Sequence, residues 1–230
     1  MIHNSLKATG LGLGPAVLAM TVASAASASV IFFDDFETPS NTSNWQVYAD
    51  GFGAWSSNSG TGIEVQRTGA VGGVSAYSGV QYVELDSDTA RGGDGTASGT
   101  NSSMTRTVSL TAGWYNLTWY YLPRTNTAND NLISVFVDGA GEAVGTNLIG
   151  EENGTRSQIS TWLPVSYRFY VDGTDNDYGI TFLAGGTENT LGGFIDDVSL
   201  SEVPVPASLG LLAPAIALLG AMGWRRNRKA

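Results

Sequence analysis

Between residues 30 and 200 the apolar side chains recur at every second position, a pattern that an amphipathic helix does not produce. Tyr115, Leu117, Trp119 and Tyr121 alternate with Asn116, Thr118 and Tyr120, as in a strand that buries one face. Ile133, Val135 and Val137 alternate with Ser134 and Phe136 in the same way. Further strand-like runs cover residues 30–36, 45–48, 63–67, 80–85, 104–110, 162–171, 180–183 and 194–200. Clusters of Gly, Asn, Asp, Ser and Thr separate them, among them Asp138-Gly139 and Asp172-Gly173, which is turn chemistry. No stretch reads as a capped amphipathic helix. About ten strands in one length of chain predict an all-β fold, a two-sheet antiparallel sandwich of jelly-roll type. The segment from 86 to 103 is rich in Gly, Ser, Thr and Asp and is expected to form a long mobile rim. No repeat of fixed period is present, which argues against a propeller or solenoid.

The two ends have a different grammar. Residues 1–28 read as a secretory signal peptide: Lys7 is the positive element, residues 11–22 are mostly apolar, and Ala26-Ser27-Ala28 offers small residues to signal peptidase. Residues 29–203 follow as the β-sandwich domain. At 204–230 the order is a Pro-x-Pro box, an uncharged span at 207–224, and the basic tail Arg225-Arg226-Asn227-Arg228-Lys229. A span of that length just crosses a bilayer core, and the basic cluster holds the tail on the cytoplasmic side. The expectation is a protein anchored in the inner membrane before processing, with residues 29–203 exported.

This C-terminal order, with Val203, Pro204, Val205 and Pro206 ahead of the span and Arg225 and Arg226 behind it, resembles the PEP-CTERM sorting signal of Gram-negative bacteria. Val205 stands where the family usually has glutamate. The resemblance implies processing by exosortase, delivery to the cell surface or matrix, and association with exopolysaccharide or biofilm.

Charge and composition narrow the chemistry of the exported part. All 21 acidic residues fall in 29–203 with only six arginines and no Lys, His or Cys there, a net charge of −15. Nucleic acid is excluded as a partner, because gripping phosphates requires clustered basic residues. A Ser-His-Asp triad and a thiolate nucleophile have no residues to be made from, so no enzymatic activity is expected. A carboxylate pair of the glycosidase kind remains the one catalytic alternative. Its candidates are Glu64, Glu84 and Asp86 in strand runs and Glu151-Glu152 in a loop, all of which read as solvated surface charge.

Several short fragments, Phe33-Asp34-Asp35-Phe36-Glu37, Gln81 to Asp86, Tyr121-Leu122-Pro123-Arg124 and Gly193 to Leu200, resemble exported jelly-roll domains of the galactose-binding-like and carbohydrate-binding kind. In those modules a structural calcium often bridges an acid just after the first strand and one in the last. Glu37 and Asp196 match those positions, with Asp35 and Asp197 as further ligands. Simple alternation puts Asp196 on the face of Phe194, Val198 and Leu200, where a carboxylate must be paired or metal-bound. The alternative role for Asp196 is to cap backbone N–H groups at a strand end, and an unchanged melting temperature on adding chelator would reject calcium. For a sugar, Trp55 and Tyr77 lie outside the strand alternation and are the candidate stacking platforms of a lectin-like site. The competing reading of Trp55 is a loop aromatic folded back over the sandwich. Trp45, Trp119 and Trp162 read as core, and Arg124 as a partner of a ligand or of a carboxylate.

Overall fold

A computed structural model describes residues 27–58, 61–88 and 99–204. The signal peptide and the sorting signal from Val205 onward, including Val205, Pro206, Arg225 and Arg226, lie outside the described residues; Val203 and Pro204 end the domain. Thirteen strands are described: β1 (Val30–Asp34), β2 (Trp45–Tyr48), β3 (Gly51–Phe52), β4 (Trp55–Ser57), β5 (Ile63–Arg67), β6 (Gln81–Glu84), β7 (Ser103–Ser109), β8 (Gly113–Leu122), β9 (Leu132–Gly139), β10 (Leu148–Glu152), β11 (Leu163–Val171), β12 (Asp177–Gly185) and β13 (Phe194–Glu202). One sheet runs β11-β8-β13-β6-β5-β2 with β1 also beside β13, and the other runs β10-β9-β12-β7-β4-β3. Every pairing is antiparallel. The chain forms an all-β, jelly-roll-like sandwich. Among the described residues the one helical element is a 3-10 turn at Ala128–Asp130, and no helix is long and apolar enough to cross a membrane.

The alternating residues make the core as the period demands. Tyr115, Leu117, Trp119 and Tyr121 of β8 point inward from the first sheet, against Val135, Ile180 and Phe182 of the second. Trp119 is 1% exposed and meets Phe182 edge-on at 5.1 Å, a favoured aromatic geometry. Three strands escape the sequence pattern. β3 and β4 have two and three residues, too few to show a period, and β10 (LIGEE) is a largely exposed edge strand. Glu151 and Glu152 are therefore strand residues and not loop residues.

The last strand has a kink that decides where its acids go. Its first residues pair with β6, Phe194 opposite Glu84 and Ile195 opposite Val83. Its later residues pair with β1, Val198 opposite Asp34 through Ser201 opposite Val30. Between these partners, Asp196 faces Tyr120 of β8 while Ser199 faces Thr118. Three steps on one strand thus match two on the other, which is a β-bulge. Asp197 is the extra residue, with φ 48°, a conformation that Asp tolerates better than most side chains. The bulge reverses the alternation. Val198 and Leu200 face the core, whereas Phe194 packs outside it with Tyr82 and Leu122. The expectation that Asp196 shares a core face with Val198 and Leu200 is corrected by this one-residue slip.

Candidate functional site

The bulge gathers side chains from three distant parts of the chain on the outer face of the first sheet. Asp196 is fully buried. Its Oδ2 accepts the backbone N–H of Tyr77 at 2.7 Å and of Ser78 at 3.3 Å, and its Oδ1 that of Asp197 at 2.8 Å. The Ser78 hydroxyl donates to Asp197 Oδ1 at 2.6 Å. Glu37 Oε1 accepts the N–H groups of Val80 and Gln81, both at 2.7 Å. Two carboxylates from the ends of the domain therefore hold down residues 77–81 by their backbone. Held there, Tyr77 stacks on Tyr120, ring centroids 3.3 Å apart and planes 15° from parallel, and its hydroxyl donates to that of Tyr120 at 2.6 Å. Tyr77 remains 43% exposed. Tyr77, Asp196, Asp197 and Glu37 thus meet in one place, and Asp35 joins through its charge, which raises the Asp197 pKa after burial.

Asp196 fills the capping role. Among the described residues no three acidic side chains converge closely enough to share a metal ion, and both Asp196 oxygens already receive N–H donors.

A second polar cluster lies on the same outer face. Glu64 of β5 stands directly opposite Glu84 of β6, and both are buried, as is the neighbouring Asp86. The reading of these three acids as solvated surface charge is overturned, because the segments around residues 88, 124 and 190 cover that part of the sheet. The Gln66 amide donates to both glutamates, at 2.8 Å to Glu64 Oε1. Asp88 N–H donates to Glu64 Oε2 at 3.0 Å. Arg124 forms an ion pair with Glu84 and also donates to the Thr190 carbonyl at 2.8 Å. Asn131 sets the Arg124 backbone by accepting its N–H at 2.8 Å. Arg124 is a carboxylate partner.

Burial raises the pKa of Glu64, and burial followed by the charge of Glu64 raises that of Glu84 well above the usual range. Burial also pushes Asp196 up to about 7, against the pull of the N–H groups of Ser78, Asp197 and Tyr77. Each of these acids is protonated more readily in the folded chain than in the unfolded one. Their contribution to stability is therefore complete below about pH 4 and is lost as pH rises through the folded values. Between pH 5 and 8 the melting temperature is expected to fall by about 5–10 °C, on a loss of about 2–3 kcal/mol. Glu84→Gln should flatten that slope, and calorimetry across the pH series checks it.

The remaining aromatic expectations divide. Trp55 is 2% exposed and is enclosed by Phe32, Phe36 and Phe182, with its indole N–H on Asp34 Oδ2 at 3.0 Å. It presents no face to a sugar, so its assignment as a platform is corrected: β4 places it in the core. Trp119 is core as expected. Trp45 is half-buried at the start of β2, and Trp162 lies over the outer face against Tyr82, donating to the Ser75 carbonyl at 2.9 Å. The described ends of the 86–103 segment are buried and joined, Ser87 to Ser102 through their hydroxyls at 3.0 Å, while residues 89–98 lie outside the described residues. Tyr120 is the contact that the sequence reading missed. It reads there as a polar partner in an alternation, and its outward direction is the only signal that could have found it.

No known protein-family profile matches the chain, and no curated protein matches it. Solved structures do. The Stig cyclase Fisc from Fischerella sp. TAU, in complex with an indole compound, aligns over 78% of this chain and 100% of its own at 16% identity and a TM-score of 0.53. The K2 cleaved adhesin domain of Lys-gingipain aligns over 74% of this chain and 96% of its own at 14% identity and a TM-score of 0.51. At such identities the likeness is one of fold. An enzyme and an adhesin domain share this sandwich, so function has to be argued from the site.

Proposed function

We propose that this chain is an exported, non-catalytic surface protein that contacts extracellular glycan through the Tyr77–Tyr120 pair. The observation that carries the reading is a stacked aromatic pair in which Tyr77 is exposed and Tyr120 half-buried, fixed through the backbone at Tyr77 and flanked by Asp197. A sugar ring docks on a flat aromatic face while its hydroxyls donate to a carboxylate. The N-terminal signal and the PEP-CTERM-like tail supply delivery to the cell surface, with exosortase as the processing enzyme and exopolysaccharide as the nearest glycan. On a glycan array the exported domain should bind a neutral polysaccharide, and Tyr77→Ala should weaken that binding at least tenfold with an unchanged melting temperature. Binding to no glycan, or binding equal in the variant, rejects the site. Mass spectrometry of the surface protein addresses the tail: a C-terminus at Ala230 would mean a permanent anchor instead of sorting.

A glycan-active enzyme is the second reading, and one observation favours it. Burial raises the pKa of Glu64 and of Glu84 above the usual carboxylate range, the direction that a general acid needs. Against it, the two carboxylates are bridged by one amide nitrogen and enclosed by chain, with none of the room for sugar and water that glycoside hydrolysis requires.

A further inference from the structure

The outer face of the first sheet continues past the tyrosine pair. Residues two apart on a strand share a face. β8 therefore turns Tyr120, Thr118, Asn116 and Trp114 outward in line, while Tyr115, Leu117, Trp119 and Tyr121 fill the core. The register sets neighbours beside the middle two. Ser199 of β13 and Ser166 of β11 stand opposite Thr118, and Ser201 and Arg168 stand opposite Asn116. Trp114 closes the line opposite Tyr170, six residues from Tyr120 or about 20 Å along the strand.

The middle of this line is hydrophilic and free of acids. Thr118, Asn116, Ser199 and Ser201 are half-buried, and the exposed Ser166 donates its hydroxyl to Asn116 Oδ1 at 2.8 Å. None of the 21 acidic residues of the exported part stands in these two rows. An acidic chain ordinarily places its charge on such a solvated sheet face. Phe33 of β1 flanks the strip opposite Ser199 and is 54% exposed.

The far end repeats the chemistry of the near one. Trp114 and Tyr170 are 47% and 55% exposed, and their rings meet at 5.4 Å. Arg168 lies over the Trp114 ring at 4.7 Å, a cation–π contact that holds the ring in place. Exposed aromatic surface rimmed by polar groups marks an interaction site. Here two such pairs bracket a strip of short neutral hydrogen-bonding side chains. The matching ligand repeats: it offers the same apolar ring face at both ends and hydroxyl groups between.

We infer that the ligand of the Tyr77–Tyr120 site is an uncharged, extended polysaccharide that runs along β8 to a second contact at Trp114 and Tyr170. This rests on the glycan reading above and specifies its ligand as an internal stretch of chain, not a terminal sugar. One sugar ring packs on each aromatic pair, and the hydroxyls between them bond to the Ser, Thr and Asn side chains. A polyanion is repelled by the net charge of −15, and a polycation meets no acid on the strip. Joining the two contacts through one ligand makes the second contact intramolecular, so affinity rises with chain length.

The test is calorimetric titration of the processed protein with neutral β-1,3- and β-1,4-linked gluco- and galacto-oligosaccharides. Each series runs from the disaccharide to about eight rings, enough for a span of about 20 Å. In the series that binds, the longest member should bind at least tenfold tighter than the disaccharide. Trp114→Ala and Tyr170→Ala should each remove most of that gain, with disaccharide affinity and melting temperature unchanged. Tyr77→Ala should weaken both lengths. Affinity independent of length, with Tyr77→Ala still damaging, overturns the extended-chain inference and leaves the glycan site in place. Length dependence untouched by both Trp114→Ala and Tyr170→Ala also overturns it. Binding of no series overturns it too, and the glycan array then decides whether the glycan reading falls with it.

Discussion

Arg124→Met is expected to lower the melting temperature by about 10 °C at pH 8, on a loss of about 3–5 kcal/mol. The variant keeps most of the aliphatic packing and deletes the cation that, among the described residues, pairs with the fully buried Glu84. What remains is two facing carboxylates sharing one glutamine amide. The cost should shrink toward pH 5, because a proton on Glu84 then substitutes for the lost charge. Arg124→Met combined with Glu84→Gln should recover much of the loss, since both members of the ion pair are then gone. A melting temperature at pH 8 within about 2 °C of the parent would show that the pair is solvated and that the raised acids do not depend on it.

Trp55→Ala should be equally damaging, for a different reason. Removing a buried Trp leaves a cavity costing about 3–5 kcal/mol, here between Phe32, Phe36 and Phe182, and strips Asp34 Oδ2 of an N–H donor while Arg106 remains at 3.0 Å. Glycan binding per folded molecule should not change. This inverts the outcome for Tyr77→Ala, where binding falls and stability holds. Measuring melting temperature and array signal for both variants checks the assignment: a stable Trp55→Ala protein with lost binding would return Trp55 to the surface.

Most of the architecture was legible before any coordinates. The runs at 45–48 and 63–67 coincide with β2 and β5, and the other predicted runs differ from their strands by a few residues. Each has a residue period of its own, and a period is a local property. β3, β4 and β10 were not legible, because two or three residues show no period and an exposed edge strand needs no apolar alternation. The acids were harder. Glu64 and Glu84 become a pair only through the β5/β6 register, and nothing in either short sequence announces the other.

Asp196 marks where local pattern stops being enough. Apolar ends without a single acid, an acidic middle and the absence of His, Lys and Cys in the exported part follow from composition, and with them the exclusion of triad or thiolate chemistry, while the alternation of apolar residues carries the sandwich. The face on which Asp196 lies follows from a single bulge at Asp197, placed where β13 changes partner from β6 to β1. That choice is made by the sum of burial and hydrogen bonding across three strands, which no one of them contains. The same holds for the meeting of Tyr77 with Tyr120, 43 residues apart. Alternation is written residue by residue, whereas register is settled by the whole sheet.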